Sequence, residues 1–298
     1  MSYLQRYSRK NKVDIGLCKK GKDVVLCQVR ACGEDISMTN MLCFEEEITS
    51  LSKEAFQSYN FKGNRLNVVI TDEHIVQSYL ELPYMNYKNT IKYIKYELNR
   101  LHKIDTNMYR FSYYVLGFKP NTKYKIQRVL AIGLSLSNME QYIANFDKLG
   151  FRVVSFISPL DARLMVLRHI DDRMGKGATL CYVYIDESSV DILFYCQRHI
   201  ISTASIKLPK MALDRELRSI FDYFHMEHYD KDIHSIILTG SCNESDKYIK
   251  FFKKQGFKTV WLDAKQLGFS SIVKGSSTLP VFYADALGAA LRYGSVSM

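Results

Sequence analysis

The stretch Val13–Val29, VDIGLCKKGKDVVLCQV, decides how the chain is read. An apolar run carries Asp14-Ile15-Gly16, a lysine-rich turn follows around Lys20-Gly21, and a second run of valine, leucine and cysteine leads away. Two β-rich runs about a short glycine turn predict a hairpin, with strands at 12–17 and 23–30. A hairpin turn of this kind can offer backbone N–H groups to a phosphate. Leu17 and Cys18, however, stand where a phosphate loop would carry small hydroxyl side chains.

A second hairpin lies in the other half, at YIDESSVDILFYC, Tyr184–Cys196. Around it the sequence predicts strands at 180–185, 190–196 and 199–207. A helix opens at Pro209 and runs to about Glu227, with Leu213, Leu217, Ile220 and Phe224 on one face. A strand at 235–239 is ended by Gly240, a helix at 244–255 by Gly256, and a strand at 257–262 follows. The last helix is expected at 282–293. The first half begins alike, with a third strand at 36–44, a helix at 50–59 and a strand at 65–71. Both halves thus read βββαβα, with almost no sequence identity between them.

Between the halves sits extra material. The helix at 87–102 places Tyr87, Ile91, Ile94, Leu98 and Leu101 at four-three spacing, with Lys88, Lys92 and Lys95 elsewhere. Strands at 110–117 and 127–134 follow. Ser137 and Glu140 predict a capping box for a helix ending at Gly150, before a strand at 151–157. A helix at 159–171 leads to Gly175-Lys176-Gly177, a hinge signal. The expected organisation is a first lobe at 1–83, completed by 155–175 and the C-terminal helix. An α/β subdomain at 84–154 is inserted in it, and a second lobe covers 178–298.

Composition narrows the class. The chain has 298 residues, 47% hydrophobic and 24% charged, which supports a packed core. No run approaches the roughly 20 apolar residues of a membrane span, and the basic start has no apolar run behind it, so a signal peptide is not expected. Seven cysteines form no CxxC pair, which predicts reduced, buried thiols. The net charge of +10 is uneven: residues 3–22 carry seven Lys/Arg against one acid, and residues 88–128 ten against two. Acidic partners or an anionic membrane surface suit that balance, as does a plain solvated face.

Leu80–Pro83 (LELP), the helix containing Glu97, Phe111–Gly117 (FSYYVLG), Arg128–Ser135 (RVLAIGLS), Asn138–Leu164, Ile236–Ser241 (IILTGS) and Ala284–Arg292 (ADALGAALR) occur in that order. In this ordered set, spanning Val13 to Arg292, the chain resembles the PilM-like proteins of type IV pilus assembly. These are related to the cytoplasmic region of GspL and to MshI. The resemblance implies an α/β actin-like fold, of ribonuclease-H-like duplicated βββαβα lobes with a subdomain inserted in the first. It also implies a cytoplasmic place at the inner face of the inner membrane. The implied partner is a PilN-like bitopic protein, whose N-terminal peptide enters a groove between first lobe and insert. An assembly ATPase and self-association are further contacts it allows; nucleic acid is not expected.

In this reading Tyr79, Leu82, Pro83, Tyr87 and Ile91 line the partner groove, since Gln77–Tyr87 crosses from lobe to insert. Asp14, Gly16, Asp186, Ser188 and Gly240 are the equivalents of the nucleotide cleft. All three cleft turns depart from the family pattern. Leu17 and Cys18 replace small hydroxyls, Asp186 and Glu187 put two carboxylates toward a phosphate, and Ser241 and Cys242 replace glycines. A scaffold without enzymatic activity or cofactor is therefore expected. An ATP/Mg-binding protein whose nucleotide state regulates its partner is the first alternative. A ribonuclease-H-like nucleic-acid enzyme using Asp14, Asp72 and Asp186 is the second. His225 and His228 stand three apart, a metal-like spacing better read as a helix end. Of the 21 tyrosines, eight between Tyr79 and Tyr114 crowd the first lobe and insert, as packing or as walls of a peptide groove.

Overall fold

The computed structural model describes residues 12–20, 23–32, 35–45, 61–71, 75–118, 124–174, 178–186, 189–197, 199–208, 212–240, 245–262, 273–274 and 283–291. The expected helix at 50–59 lies outside these residues. The chain forms two units, one of residues 1–73, 137–166 and 263–298, the other of 74–136 and 167–262.

The first unit is built on β1 (Lys12–Lys20), β2 (Asp23–Cys32), β3 (Asp35–Glu45), β4 (Arg65–Val69), β8 (Arg152–Ile157) and β14 (Val273–Lys274). They lie in the order β14-β3-β2-β1-β4-β8. β1, β2 and β3 form an antiparallel meander, while β4 pairs parallel to β1 and β8 parallel to β4. β1 continues three residues beyond the expected end at 17, and both Leu17 and Cys18 are fully buried within it. Central strands covered on both faces read as unbroken apolar runs, which is why two successive buried side chains fit here. On one face Ile15, Leu17, Leu66 and Val68 pack with Phe146 of α2 (Leu136–Lys148). This helix starts at Leu136, so Ser137 lies in its first turn and not at the expected cap. On the other face α6 (Tyr283–Ala290) lies against β1, β2 and β4.

The second unit repeats the plan. β9 (Thr179–Ile185), β10 (Ser189–Cys196), β11 (His199–Lys207), β12 (Ile233–Gly240) and β13 (Thr259–Trp261) lie in the order β11-β10-β9-β12-β13. Their meander and two parallel pairings match five strands of the first sheet, and β14 has no counterpart among the described residues. α4 (Leu213–Glu227) and α5 (Ser245–Lys254) cover one face. Phe194 stacks on Phe224 with ring centroids 4.1 Å apart, and Phe221 touches Phe252 and Phe257. α4 starts at Leu213, four residues after Pro209, and its buried stripe is Leu217, Phe221 and Phe224. The expected Leu213 and Ile220 are half-buried and pack against the same core, and Phe221 joins them there.

β5 (Ile75–Pro83), β6 (Tyr109–Phe118) and β7 (Ile126–Ser135) form a separate three-stranded sheet, in the order β5-β7-β6. α1 (Tyr87–His102) covers one face of it. The helix occupies the expected residues because its ends are chemically marked. The Asn86 side chain accepts the Asn89 N–H, and Lys103, in left-handed conformation at φ 56°, donates its N–H to Asn99 O. Its buried stripe is Thr90, Ile94 and Leu98. Tyr87 and Leu101, expected on that stripe, are 48% and 47% exposed, at the two ends of the helix. α3 (Pro159–Met174) begins in the first unit and ends in the second.

Candidate functional site

The two meanders can be laid over each other by their hairpins. Lys20 faces Asp23 across β1–β2, and Asp186 donates its N–H to Ser189 O at 2.8 Å across β9–β10. Lys20 is thus the counterpart of Asp186, and Asp14 stands six residues earlier, level with Leu180. Parallel pairing gives the same phase: Ile15 pairs with Leu66, and Cys181 with Ile236.

This phase separates the cleft candidates. Asp186 follows β9, and Gly240 closes β12 beside Ile185, so both lie at the carboxyl ends of adjacent parallel strands. Ligands of open α/β sheets gather at such ends. Gly240 has φ +123°, and a Cβ there would lie 1.9 Å from Ile185 O, so the position requires glycine. Ser188 lies outside the described residues, as do Ser241 and Cys242. Asp14, by contrast, lies toward the amino end of β1, roughly 20 Å of strand before Lys20. It is 1% exposed, and its Oδ1 accepts Arg65 Nε–H at 2.9 Å inside the first unit, while its Oδ2 is buried without a hydrogen-bond partner among the described residues. Gly16 faces α6: a Cβ would lie 1.9 Å from Ala286 O and 2.4 Å from Ala290 N. Its missing side chain makes room for a helix backbone.

The groove candidates divide as well. Leu82 is 1% exposed, in the core formed with Leu80, Ile94, Leu98, Phe111 and Val129, and Ile91 packs against that core. Tyr79 is opposite Leu130 in the register, on the face turned away from α1. Its phenol is pushed up to about 12, first by burial and then by the Asp191 carboxylate, although 53% of the residue stays open. Pro83 is exposed at the end of β5. Tyr87 is the candidate with company. It stacks on Tyr113 at 5.7 Å, and next to it Tyr84 meets Phe118 edge-on at 5.8 Å. Lys125 Nζ lies 4.3 Å from both the Tyr84 and Phe118 ring centroids, a doubled cation–π contact. Tyr84, Tyr87 and Phe118 are each more than two-fifths exposed. An exposed aromatic surface with a fixed cation, beside the edge strand β6, is well suited to an extended apolar peptide. Phe118 and Lys125 carry no sequence signal, since the β6–β7 pairing is what brings them to Tyr84.

Other candidates are quieter. No group of three or more metal-binding side chains occurs among the described residues. His228 packs on Phe224 at 5.0 Å, and burial followed by the Arg128 charge lowers its pKa. Burial raises the thiols of Cys27 and Cys181, so both are unreactive core groups. No described helix is long and apolar enough to cross a membrane.

No protein-family model matches the sequence, and no curated protein matches it. Solved structures do. A PilM-PilN type IV pilus biogenesis complex is similar at TM-score 0.68 and 12% identity, over 94% of this chain and 98% of that one. The cytoplasmic domain of EpsL, an inner membrane component of the type II secretion system of Vibrio cholerae, has TM-score 0.48 and 11% identity, over 96% and 99%. A Bacteroides thetaiotaomicron protein with an actin-like ATPase fold and unknown function has TM-score 0.47 and 12% identity, over 86% and 93%. At such identities the first likeness establishes the fold, which is the actin-like α/β fold.

Proposed function

We propose that this chain is a cytoplasmic scaffold of a type IV pilus or type II secretion-like platform at the inner membrane. In this reading it captures the N-terminal cytoplasmic peptide of a PilN-like bitopic protein. The observation that carries the reading is the exposed Tyr84, Tyr87 and Phe118 surface, backed by half-buried Tyr113, on the three-stranded sheet of a fold shared with a PilM-PilN complex. Tyrosine offers wide contact area at low entropic cost, and an edge strand can add backbone pairing. Within the earlier groove set, Tyr87 and the neighbouring Pro83 belong to this surface. Leu82 and Ile91 support it from beneath.

The nucleotide site is, in the same proposal, degenerate. Three features favour this: Asp14 is engaged with Arg65, Gly16 is spent on helix packing, and Leu17 and Cys18 are core side chains. The basic surface of the insert would hold the scaffold near anionic lipid, weakly and with strong dependence on salt.

The test is calorimetric titration with the N-terminal cytoplasmic peptide of a PilN-like single-pass protein from the same genome. Micromolar binding is expected, reduced about tenfold or more by Tyr87→Ala or Phe118→Ala. Undiminished binding in both variants refutes the surface, and no binding at all refutes the scaffold reading. Micromolar affinity for ATP with Mg²⁺ would instead favour a nucleotide-regulated protein.

A further inference from the structure

A second surface lies on the other lobe and is independent of the peptide reading. Between α4 and α5 runs a groove of about 450 Å³, lined by Asp214, Arg218, Lys247, Lys250, Phe251 and Lys254. Four cations face it against one acid. All four are exposed, while Phe251 is half-buried in the floor.

Two of these charges work against their own helix. Lys247, Lys250 and Lys254 stand at i, i+3 and i+7 of α5, a like-charge spacing that weakens a helix. Lys247 is also in the first turn, where the macrodipole favours anions. Arg218 adds a fourth positive charge from α4, in the opposing wall. Asp214 in the first turn of α4, Arg218 four residues after it, and Lys254 in the last turn of α5 do suit their helices, so the unfavourable placements are those of Lys247 and Lys250.

We infer that this groove docks an acidic segment of a partner protein, with carboxylates on the Arg218, Lys247, Lys250 and Lys254 side and an apolar side chain against Phe251. Charge complementarity names the chemistry. The concave shape selects a protruding chain over a flat bilayer, which would meet helix ridges more readily than the floor between them. Because α5 has its lysines one above another along two turns, an extended or helical strip of acids matches them.

The probe is a short fluorescein-labelled peptide of alternating glutamate and leucine, followed by anisotropy with the full chain. Its lysine–leucine counterpart serves as control. Saturable binding that weakens as salt rises is expected. The exposed double change Lys247→Glu with Lys250→Glu should lower affinity by at least about tenfold. Lys88→Glu with Lys92→Glu, an equal change of net charge on α1, should leave it within about twofold. Circular dichroism checks that both variants stay folded. Equal losses in the two double variants would mean net charge alone, and overturn the site. So would no peptide binding, or a Lys247/Lys250-dependent binding to phosphatidylglycerol vesicles without binding to the peptide. A variant lacking the insert aromatics, Tyr87→Ala with Phe118→Ala, should bind the acidic peptide as the parent does, which keeps failure of this site distinct from failure of the other.

Discussion

The two sheets share strand order, direction and phase, yet treat one position in opposite ways. Gly16 in β1 and Tyr182 in β9 are counterparts, both essentially closed to solvent. In the first unit α6 comes down until its backbone touches Gly16, and its own small residues, Ala286, Ala289 and Ala290, complete the seam. Where α6 passes α3 the same device recurs, with Gly288 against the backbone of Ala162. In the second unit a tyrosine fills the place. Close-packed interiors can be reached by bringing a helix in or by growing a side chain outward, and the two cannot be exchanged locally. A glycine that resembles part of a phosphate loop can therefore be a packing residue, and its counterpart shows what the fold accepts when no helix backbone comes so near.

The largest effect should come from breaking that difference. Gly16→Val sets a side chain into the backbone of α6, and should cost about 4 kcal/mol or more. Soluble yield and far-ultraviolet dichroism read it; a variant melting like the parent would show that α6 does not rest there. The converse change, Tyr182→Ala, leaves a cavity in β9 and should cost about 3 kcal/mol. The single tryptophan, Trp261, packs against the core of the second unit, so its fluorescence during urea unfolding reports that unit directly.

A smaller contrast lies one turn of the pleat away. Asp14 is a buried carboxylate answered by Arg65, whereas its counterpart Leu180 needs no answer. Arg65→Ala should cost about 1–3 kcal/mol, moderated because Arg65 is itself 44% exposed. Asp14→Leu with Arg65→Ser, which copies the second sheet, should recover most of that loss. If Asp14 instead served a metal or nucleotide, the double variant would lose ligand binding, and stability would not report it.

The smallest effect concerns acid. His228, at the end of α4, is held below its ordinary value of 6.5 by burial and then by Arg128. A base with a lowered folded value binds fewer protons folded than unfolded. Its share of stability is thus complete above the unfolded value, and is lost as pH falls from there through the folded value. Thermal melts between about pH 7 and 5 should slope downward with acid, and less so in His228→Gln. An unchanged slope would assign the effect to other groups.

Much of the fold was open to reading. Strands 179–185 and 126–135 announce themselves as apolar runs, and α1 has its start at Asn86 and its length in the repeat of Ile94 and Leu98. The site was less so. Alternation tells which residues share a face of a strand but not how far a strand slides against its neighbour, so the phase that parts Asp14 from Asp186 had no local sign. For the same reason Leu82 read as a groove residue, although its face of β5 is the one α1 covers. Phe118 and Lys125 meet Tyr84 through strand pairing, at sequence separations no periodicity records.

Sequence by itself indicated most of the described strands and helices and the likeness of the two meanders, because propensity, capping and apolar periodicity act over a few residues. Tertiary structure alone decided that Gly16 makes room for a helix and that Tyr182 fills the equivalent place with its own ring. It also decided that Asp14 is paired with Arg65, and that four aromatic rings and a lysine gather on the insert. Those outcomes depend on register and on the approach of distant elements, where packing density and the cost of an unpaired charge choose among arrangements that local sequence leaves equal.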